Sequence, residues 1–282
     1  MPRRHFRELI ENKWSERKFV SVGLDSADVK LMMDIVKSTH DLVAAYKINT
    51  EFYSGLAIDS QAILRTLILF INAIAPTVPV ILDRKAGDIG NTNLQTANTA
   101  FRFFEADAIT VNPYLGEESL FPFLTYPDKG IFVLCRTSNP ASDEFQNLDV
   151  IALAEDEARW SLGPGDNLES WPLKLYEYIA FRVSHDWNKN GNCGLVVGAT
   201  NPEDLERVRD IVGNMPILIP GIGAQGGNLA QSVKAGKNER GKGMIINSSR
   251  GVIFASRGPD QSAAARNEVL KMNNQIKQSL SG

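Results

Sequence analysis

Cysteine is scarce in this chain, with two residues among 282. Cys135 and Cys193 each stand inside an apolar run of strand length, which is the usual setting of a buried, reduced thiol. Two such cysteines supply neither the ligands of a structural zinc site nor the framework of a small disulfide-stabilised protein. The sequence therefore predicts a chain that folds without disulfides and without a bound metal.

An excess of positive charge is also missing, since the formal net charge is -3. General binding to nucleic acid needs a basic stripe that replaces the counterions of the phosphates, so we expect no nucleic-acid partner. A local cationic site for one small anion is still compatible with this charge.

Long apolar segments are missing as well. The most apolar stretch, residues 63–82, is interrupted by three polar residues, Arg65, Thr66 and Asn72. A bilayer span would bury these groups in hydrocarbon, so we expect no membrane partner. The first residues are basic but lack the apolar segment and cleavage site of a secretory signal, which predicts a cytoplasmic location.

What the chain does contain is a regular alternation of strand-length apolar runs with longer amphipathic stretches, from about residue 18 to about residue 275. This alternation is typical of βα units, and eight of them favour a closed (β/α)8 TIM barrel, of fold class α/β. The predicted strands are Phe19–Leu24, Leu42–Ile48, Val78–Asp83, Ala108–Val111, Gly130–Cys135, Gly194–Val197, Pro216–Ile219 and Met244–Ile246. The predicted helices cover about residues 27–38, 59–75, 91–105, 116–126, 172–189, 201–212, 227–235 and 260–279.

One interval breaks the regular spacing. About 58 residues separate the fifth predicted strand from the sixth, and they include a Gly-Pro-Gly-Asp turn at 163–166. This segment has too few apolar residues to form a core of its own, so we interpret residues 141–190 as an insertion after the fifth strand. Residues 1–282 are then predicted to form a single barrel domain.

Charged residues gather at the carboxyl ends of two predicted strands, which is where the chemistry of such a barrel lies. The third strand ends in Asp83 with Lys85 and Asp88 close behind, and Lys47 ends the second. Strand alternation places Asp83 and Lys85 on one side of the chain, so we expect both to point into the barrel mouth. Two acids and two lysines in one buried cluster could form an internal salt-bridge network with a purely structural role. Their position at the end of a strongly apolar strand favours catalysis instead.

Residues 83–92, with the sequence DRKAGDIGNT, resemble the DxKxxD signature of orotidine 5'-monophosphate decarboxylases, in the bacterial branch with glycine before the second aspartate. Five further motifs follow the order found in that family. They are VGLD (22–25), AYKIN (45–49), RTSNP (136–140), PGIGAQGG (220–227) and NSSRG (247–251). The likeness spans about residues 18–256, and six motifs in one order make a chance match improbable.

The resemblance implies removal of the carboxylate of orotidine 5'-monophosphate (orotidylate) to give uridine 5'-monophosphate (uridylate), without a cofactor. It also implies four catalytic residues, Lys85, Asp83, Lys47 and Asp88. Lys85 would stabilise the carbanion at C6 of the pyrimidine and then protonate it. Asp83 would disfavour the substrate carboxylate, while Lys47 and Asp88 would orient and balance that pair.

The resemblance further implies how substrate is held. Asp25 would bind the ribose, Ser138 the pyrimidine, and a glycine-rich lid together with Arg250 the phosphate. The residues implied to bind substrate are Asp25, Asn49, Thr92, Ser138, Pro220, Gln225 and Arg250. Members of the family are homodimers with a shared active site, so Asp88 and Thr92 are expected to reach across a two-fold interface.

The chain departs from the family pattern at one place. Ala86 stands where many members of this branch carry arginine, and Arg84 stands at a position that is often small. Neither residue belongs to the charged cluster, so we expect the reaction to be unchanged.

Two other functions fit part of the pattern. A metal-dependent sugar-phosphate decarboxylase or synthase of the same superfamily, such as keto-gulonate 6-phosphate decarboxylase or hexulose-phosphate synthase, shares a DxKxxD strand. The Lys47 segment, Thr92 and Gln225 fit the orotidylate enzymes better. A non-catalytic phosphate-binding barrel would keep the lid and Arg250 but would have no use for the charged cluster.

Overall fold

The computed structural model describes residues 4–56, 59–151, 173–223 and 225–281. Ten strands lie within these residues: β1 (Val20–Gly23), β2 (Ala45–Asn49), β3 (Val80–Ala86), β4 (Ala108–Val111), β5 (Gly130–Arg136), β6 (Asp149–Val150), β7 (Leu173–Lys174), β8 (Cys193–Val197), β9 (Ile217–Ile219) and β10 (Met244–Ser248). Eight of them close into one barrel in the order β1-β10-β9-β8-β5-β4-β3-β2. All neighbouring pairs in the barrel are parallel. The predicted (β/α)8 barrel is confirmed.

Most residues of the barrel strands are apolar because both faces of each strand are covered, and the charged residues stand at or near the carboxyl ends. Every residue of β1, β4 and β8 is buried, with side chains of the next layer on one face and the outer helices on the other. Most strand ends lie within two residues of the prediction, and two differ by three residues. β2 begins at Ala45 rather than Leu42, because residues 41–44 form the turn that leaves the preceding helix, and β3 continues past Asp83 to Ala86.

Helices surround the barrel, and each of the eight predicted helices is present. The α-helices of the described residues are α1 (Phe6–Ser15), α2 (Val29–Thr39), α3 (Glu51–Ser54), α4 (Ser60–Ile74), α5 (Gly90–Asn98), α6 (Glu117–Leu124), α7 (Asp143–Gln146), α8 (Leu175–Arg182), α9 (Pro202–Val212), α10 (Leu229–Gly236), α11 (Arg250–Ile253) and α12 (Gln261–Ser281). A turn of π-helix continues α5 (Thr99–Phe103) and α8 (Val183–Trp187). In the part of the chain that the structure describes, no helix is both long and apolar enough to span a bilayer.

Helix α1, which the sequence pattern did not predict, covers the amino-terminal end of the barrel. Its Trp14 indole donates a hydrogen bond to the carbonyl oxygen of Met244 at 2.8 Å, at the start of β10. Just before α1, Arg4 makes a two-pronged ion pair with the fully buried Asp107, with both N–O distances at 2.8 Å. This end of the barrel is therefore plugged, which leaves the opposite end open.

The predicted insertion, residues 141–190, has two structurally different parts. Its second half forms α8 and the π-turn after it, which pack against β5 and α9 in the outer helical layer. Its first half adds α7 and a small antiparallel ribbon in which Asp149 and Val150 pair with Lys174 and Leu173. Residues 152–172, which include the Gly-Pro-Gly-Asp turn, lie outside the described residues. That the whole chain forms a single domain stays a prediction.

Candidate active site

A cavity of about 770 Å³ opens at the carboxyl ends of the barrel strands. This is the end at which (β/α)8 barrels hold their ligands. Nine of the eleven predicted site residues line it: Asp25, Lys47, Asn49, Asp83, Lys85, Ser138, Pro220, Gln225 and Arg250. Residues that are more than 200 positions apart in sequence thus meet at one opening because the strand ends converge there.

The floor of the cavity holds an aspartate between two lysines. One carboxylate oxygen of Asp83 accepts a hydrogen bond from Nζ of Lys47, and the other accepts one from Nζ of Lys85, both at 2.7 Å. Asp83 and Lys47 are buried, whereas the side chain of Lys85 is 47% exposed to the cavity. Two members of the predicted cluster, Asp83 and Lys47, are therefore buried, and Lys85 is the member that a ligand can reach.

The charges in this cluster stabilise each other. Burial would raise the pKa of the Asp83 carboxyl, but the two nearby lysines outweigh it and lower that pKa to about 2. Burial would likewise lower the pKa of Lys47, but Asp83 and Asp25 raise it above its ordinary value. Both groups are consequently ionised at neutral pH.

This pKa shift predicts a pH-dependent contribution to stability. The carboxyl of Asp83 has a lower pKa in the folded chain, about 2, than its ordinary 3.8, so folding favours the ionised form. The contribution, about 2 kcal/mol, is present above about pH 5 and is lost as the pH falls toward 2. We expect the difference in free energy of unfolding between wild type and Asp83→Asn, measured by urea denaturation, to shrink between about pH 6 and pH 3. A difference that stays constant over that range would contradict the low pKa.

Asp83 and Lys85 meet for a different reason from the predicted one. Simple alternation would put them on the same face of a regular strand, but β3 is irregular relative to β4 between Leu82 and Ala86. Within this bulge Lys85 adopts a left-handed backbone conformation with φ of 49°, which is unfavourable for a residue with a side chain. Its amide donates to the Thr110 hydroxyl at 2.9 Å, and this bond helps to hold the conformation.

A second acidic group, Asp25, lies on the β1 side of the cavity. Its Oδ2 accepts a hydrogen bond from the Ser249 hydroxyl at 2.6 Å and lies 3.9 Å from Nζ of Lys47. Its Oδ1 accepts a longer hydrogen bond, at 3.4 Å, from the backbone amide of Asn49. The side-chain oxygen of Asn49 is used locally, accepting from the Glu51 amide at 3.0 Å. Asp25 therefore links the charged cluster to the segment that carries Arg250.

The glycine-rich loop after β9 covers part of the opening. Gly223 and Gly226 have φ of 74° and 89°, values that side chains disfavour, so the loop folds back on itself in a tight turn. The amide of Gly226 donates to the carbonyl of Gly223 at 2.8 Å, which means that this amide is already used within the loop. The side-chain oxygen of Gln225 accepts a hydrogen bond from the Ser138 hydroxyl at 2.8 Å, joining the loop to the segment that follows β5.

Arg250 begins α11 at the rim of the cavity and is exposed. No ion pair with an acid engages it within the described ranges of the chain. Its guanidinium is thus a cation directed at the opening, as a site for an anion requires.

Asp88 and Thr92 are the two predicted site residues that do not line this cavity. Both are exposed, and Thr92 faces a smaller cavity of about 380 Å³ beside Arg84. Arg84 itself is turned away from the main opening and pairs with Glu51 at 2.8 Å. The charged cluster within one chain therefore has three members, without Asp88.

Residues 18–266 match the model of the orotidine 5'-phosphate decarboxylase / HUMPS family. The chain belongs to the orotidine 5'-phosphate decarboxylase / HUMPS family. The family resemblance inferred from the six motifs is confirmed.

Relatives of this family member match it over nearly its whole length. An orotidine 5'-phosphate decarboxylase from Azoarcus sp. (strain BH72) is 44% identical, with 96% of this chain and 98% of the relative covered. One from Cupriavidus necator is 42% identical, with 96% and 97% covered. The structure of Leishmania donovani OMP decarboxylase has a TM-score of 0.80 at 38% identity, with 97% of this chain and 99% of that chain covered. The added segment after β5 lies within these matches.

Among the cavity residues of this family member that were not predicted from the sequence, two bond directly to acidic residues of the site. Thr110 lines the cavity and donates a hydrogen bond to Oδ1 of Asp83 at 2.9 Å. Ser249 lines it as well and bonds to Asp25. Thr110 had no sequence signal beyond its position near a strand end, whereas Ser249 stands inside the NSSRG motif, in which only Arg250 was assigned a role.

Proposed function

We propose that this chain decarboxylates orotidine 5'-monophosphate to uridine 5'-monophosphate, the last step of de novo pyrimidine nucleotide synthesis. The observation that carries the proposal is the buried Asp83 held between Lys47 and Lys85 at the floor of the cavity. A barrel that only bound phosphate would have no use for a buried carboxylate with two lysines, whose desolvation opposes folding. Membership in the family and full-length relatives that bear the decarboxylase name support the same reaction.

The reaction requires a negative charge to form on a ring carbon. When the carboxylate of orotidylate leaves as carbon dioxide, its bonding electrons remain on C6 of the pyrimidine. Lys85 is the cavity's exposed cation next to Asp83, so its ammonium stabilises that carbanion and then donates a proton to it. Asp83 lies beside the leaving carboxylate and disfavours the bound ground state, while Lys47 keeps Asp83 ionised. The residues supply both the charge and the proton, so the reaction needs no cofactor.

The rest of the substrate is bound away from the reacting carbon. Asp25 and Asn49 contact the ribose, Ser138 contacts the pyrimidine, and the loop with Pro220 and Gln225 closes over the phosphate. The phosphate dianion pairs with Arg250, whose guanidinium faces the opening without an acidic partner among the described residues. Binding energy gained at the phosphate favours the closed form of the site, in which the chemical step is fastest.

Replacing Arg250 with alanine is expected to raise the Michaelis constant for orotidylate, by about 100-fold for a charge-assisted contact. Added guanidinium salt should restore part of the lost activity, because the missing group is a cation facing the phosphate. Steady-state kinetics with and without guanidinium measure both effects. In the wild type, phosphite should accelerate turnover of the phosphate-free nucleoside, and no acceleration would count against the role of the lid.

The active site is completed by a second copy of the chain in a symmetric homodimer. Asp88 and Thr92 lie outside the cavity of their own chain but are exposed, so they are free to enter the cavity of a partner. Exposed apolar side chains stand on the same two packed helices: Ile89, just before α5, is 58% exposed, Leu94 of α5 44% and Phe121 of α6 62%. An exposed apolar surface of this kind favours association. The backbone of Asp88 is fixed from within its own chain by Asn93, whose Nδ2 donates to its carbonyl at 2.6 Å.

A cytoplasmic location is part of the proposal. Cys135 and Cys193 are both buried and unpaired, as expected of a protein kept in a reducing compartment. Fractionation of the native cells with an activity assay tests it, and activity confined to a membrane or secreted fraction would contradict it.

One assay tests the main proposal against its alternatives. Purified protein is given orotidylate in the presence of a strong chelator, and the loss of orotidylate absorbance is followed. Turnover that the chelator does not change supports the cofactor-free decarboxylase. A metal-dependent sugar-phosphate enzyme or a non-catalytic phosphate-binding barrel would give no turnover of orotidylate, and that result would reject the proposal.

A further inference from the structure

The guanidinium of Arg136, the last residue of β5, is a buried junction between three segments. Its Nε donates to Oδ2 of Asp204 at 2.7 Å, in the first turn of α9. Its Nη1 donates to the Ser142 hydroxyl at 2.8 Å, and its Nη2 donates to the carboxylate of Asp143. The ring of Tyr176, in α8, lies 5.8 Å from its centre. Arg136 is only 3% exposed, so its guanidinium is shielded from solvent, whereas the side chain of Asp143 is 65% exposed.

Two of these partners belong to the short segment 140–146, here called the brace, which follows directly after the loop Thr137–Asn139. The far end of the brace returns to that loop. The amide of Thr137 donates to Oε1 of Gln146 at 2.8 Å, and Nε2 of Gln146 donates to the Thr137 hydroxyl at 2.8 Å. The brace is thus held at its start by Arg136 and is bonded to the loop at its end.

The loop that the brace holds carries Ser138 into the cavity. On one side Ser138 packs against Gly198 of the neighbouring strand end so closely that a Cβ on Gly198 would lie 2.8 Å from the Ser138 Cβ. On the other side its hydroxyl bonds to Gln225 of the lid at 2.8 Å. A small shift of this loop would therefore change both the wall of the cavity and the contact with the lid.

The guanidinium of Arg136 keeps its positive charge. Burial by itself would lower the pKa of the Arg136 guanidinium, but its hydrogen bonds to Asp204 and Asp143 raise it above the ordinary value. The junction is therefore charged at any pH at which the protein works.

We propose that Arg136 is a positioning residue of the orotidylate site: through the brace it holds Ser138 where it contacts the pyrimidine and the lid. The proposal rests on the proposed function, because it acts through the assigned role of Ser138. Without the junction the loop samples several positions, and only a fraction of the molecules are ready to bind. The apparent affinity for substrate falls by that fraction, while the bound complex still reacts.

The first test is steady-state kinetics of Arg136→Met, which removes the charge and keeps an unbranched side chain. We expect the Michaelis constant for orotidylate to rise about tenfold and kcat to change by less than about threefold. Arg136→Lys should recover only part of the loss, because one ammonium cannot replace donors that face Asp204, Ser142 and Asp143 at once. An unchanged Michaelis constant in Arg136→Met would overturn the proposal.

A double-mutant cycle asks whether Arg136 acts through Ser138. In the Ser138→Ala background, Arg136→Met should change the Michaelis constant by less than about twofold, since the group that it positions is already gone. If the double variant instead raises the Michaelis constant by the product of the two separate effects, Arg136 acts elsewhere and the proposal is overturned. If Arg136→Met fails to fold, Gln146→Ala replaces it in the same cycle, because that variant releases the far end of the brace from Thr137 and leaves Arg136 with its partners.

Arg209→Met is the matched control. Arg209 is also a buried arginine, on α9, but among the described residues its guanidinium bonds only to backbone carbonyl oxygens, those of Gly213, Met215, Gly236 and Gly243. Its loss should lower the melting temperature as Arg136→Met does, without changing the Michaelis constant. A rise in the Michaelis constant equal to that of Arg136→Met would mean that general destabilisation is the cause.

Hydrogen exchange separates this proposal from the proposed function. The amide of Thr137 is bonded to Gln146, so its exchange rate reports directly on the hold of the brace. Arg136→Met should speed this exchange at least tenfold, whether or not the wild type turns over orotidylate. Inactive wild type with faster exchange in the variant would reject the function and keep the brace, whereas unchanged exchange would reject the positioning role of Arg136.

Discussion

Lys85→Ala is expected to abolish turnover, with kcat/KM at least about 10⁴-fold below wild type, while uridylate binding stays measurable. General acid catalysis contributes about 10²–10⁴-fold, and a cation aimed at a developing charge contributes about 10²–10³-fold. Both contributions act in the transition state, because the carbanion does not exist in the bound substrate or product. Steady-state kinetics of decarboxylation measure kcat/KM, and calorimetry with uridylate measures binding. A loss of binding as large as the loss of rate would contradict the catalytic role.

Arg84→Ala is the matched control for Lys85→Ala. It removes a neighbouring cation from the same strand, but that cation pairs with Glu51 outside the main cavity. We expect its kcat/KM to stay within about threefold of wild type, since only an exposed ion pair is lost.

Chemical restoration of the lysine gives a second control on the same position. Lys85→Cys should be inactive, and alkylation with bromoethylamine rebuilds a side chain of equal length with sulfur in place of one methylene. The reaction should be selective, because Cys135 and Cys193 are buried and burial raises the pKa of both thiols, that of Cys193 to about 12. Activity that returns on alkylation assigns the effect to the ammonium, and a treated protein that stays inactive would argue against it.

Mixing two inactive variants, Lys85→Ala and Asp88→Ala, is expected to restore about a quarter of the wild-type activity. Random reassociation of equal amounts makes about half of the dimers mixed. In a mixed dimer with a shared active site, one site carries both lesions and the other combines an intact Lys85 with an intact Asp88. Activity is measured after subunit exchange has been verified with two differently labelled chains. A mixture that stays inactive after exchange would show that Asp88 acts in the site of its own chain.

A second mixture controls for effects of exchange itself. Asp83 and Lys85 lie on one strand of one chain, with a 2.7 Å contact between them. Mixing Asp83→Ala with Lys85→Ala therefore cannot assemble an intact site in any dimer, and no activity should return. Restoration here would mean that the inactive preparations recover for another reason.

The barrel was predictable because each strand and each outer helix of the βα repeat has a local signature. Strands that are buried on both faces appear as unbroken apolar runs, and the regular helical stretches between them imply parallel pairing. Helix α1 escaped this reasoning, since its role depends on contacts such as that of Trp14 with Met244, 230 positions away. The helix itself is largely polar and precedes the first βα unit.

The site was predictable as far as its residues stand in family motifs at strand ends. Thr110 was missed because hydroxyl residues occur in many surroundings, and Ser249 received no role although it stands inside the NSSRG motif. Their bonds to Asp83 and Asp25 make both part of the site. The same limit applies to Arg136, whose partner Asp204 is 68 positions away and stands in the sequence as an ordinary acid at a helix start.

The sequence by itself determined the (β/α)8 barrel, the family and the set of residues at the strand ends, because apolar period and motif order are local properties of the chain. The tertiary structure decided how those residues meet. The ammonium of Lys85 reaches Asp83 because β3 has a bulge in which the backbone of Lys85 is left-handed. Strand alternation did not predict this conformation. Closure of the barrel leaves Asp88 exposed outside its own cavity, so its place in a site depends on a second surface. Distances between side chains depend on the packing of the whole barrel, and a pattern along one chain does not contain them.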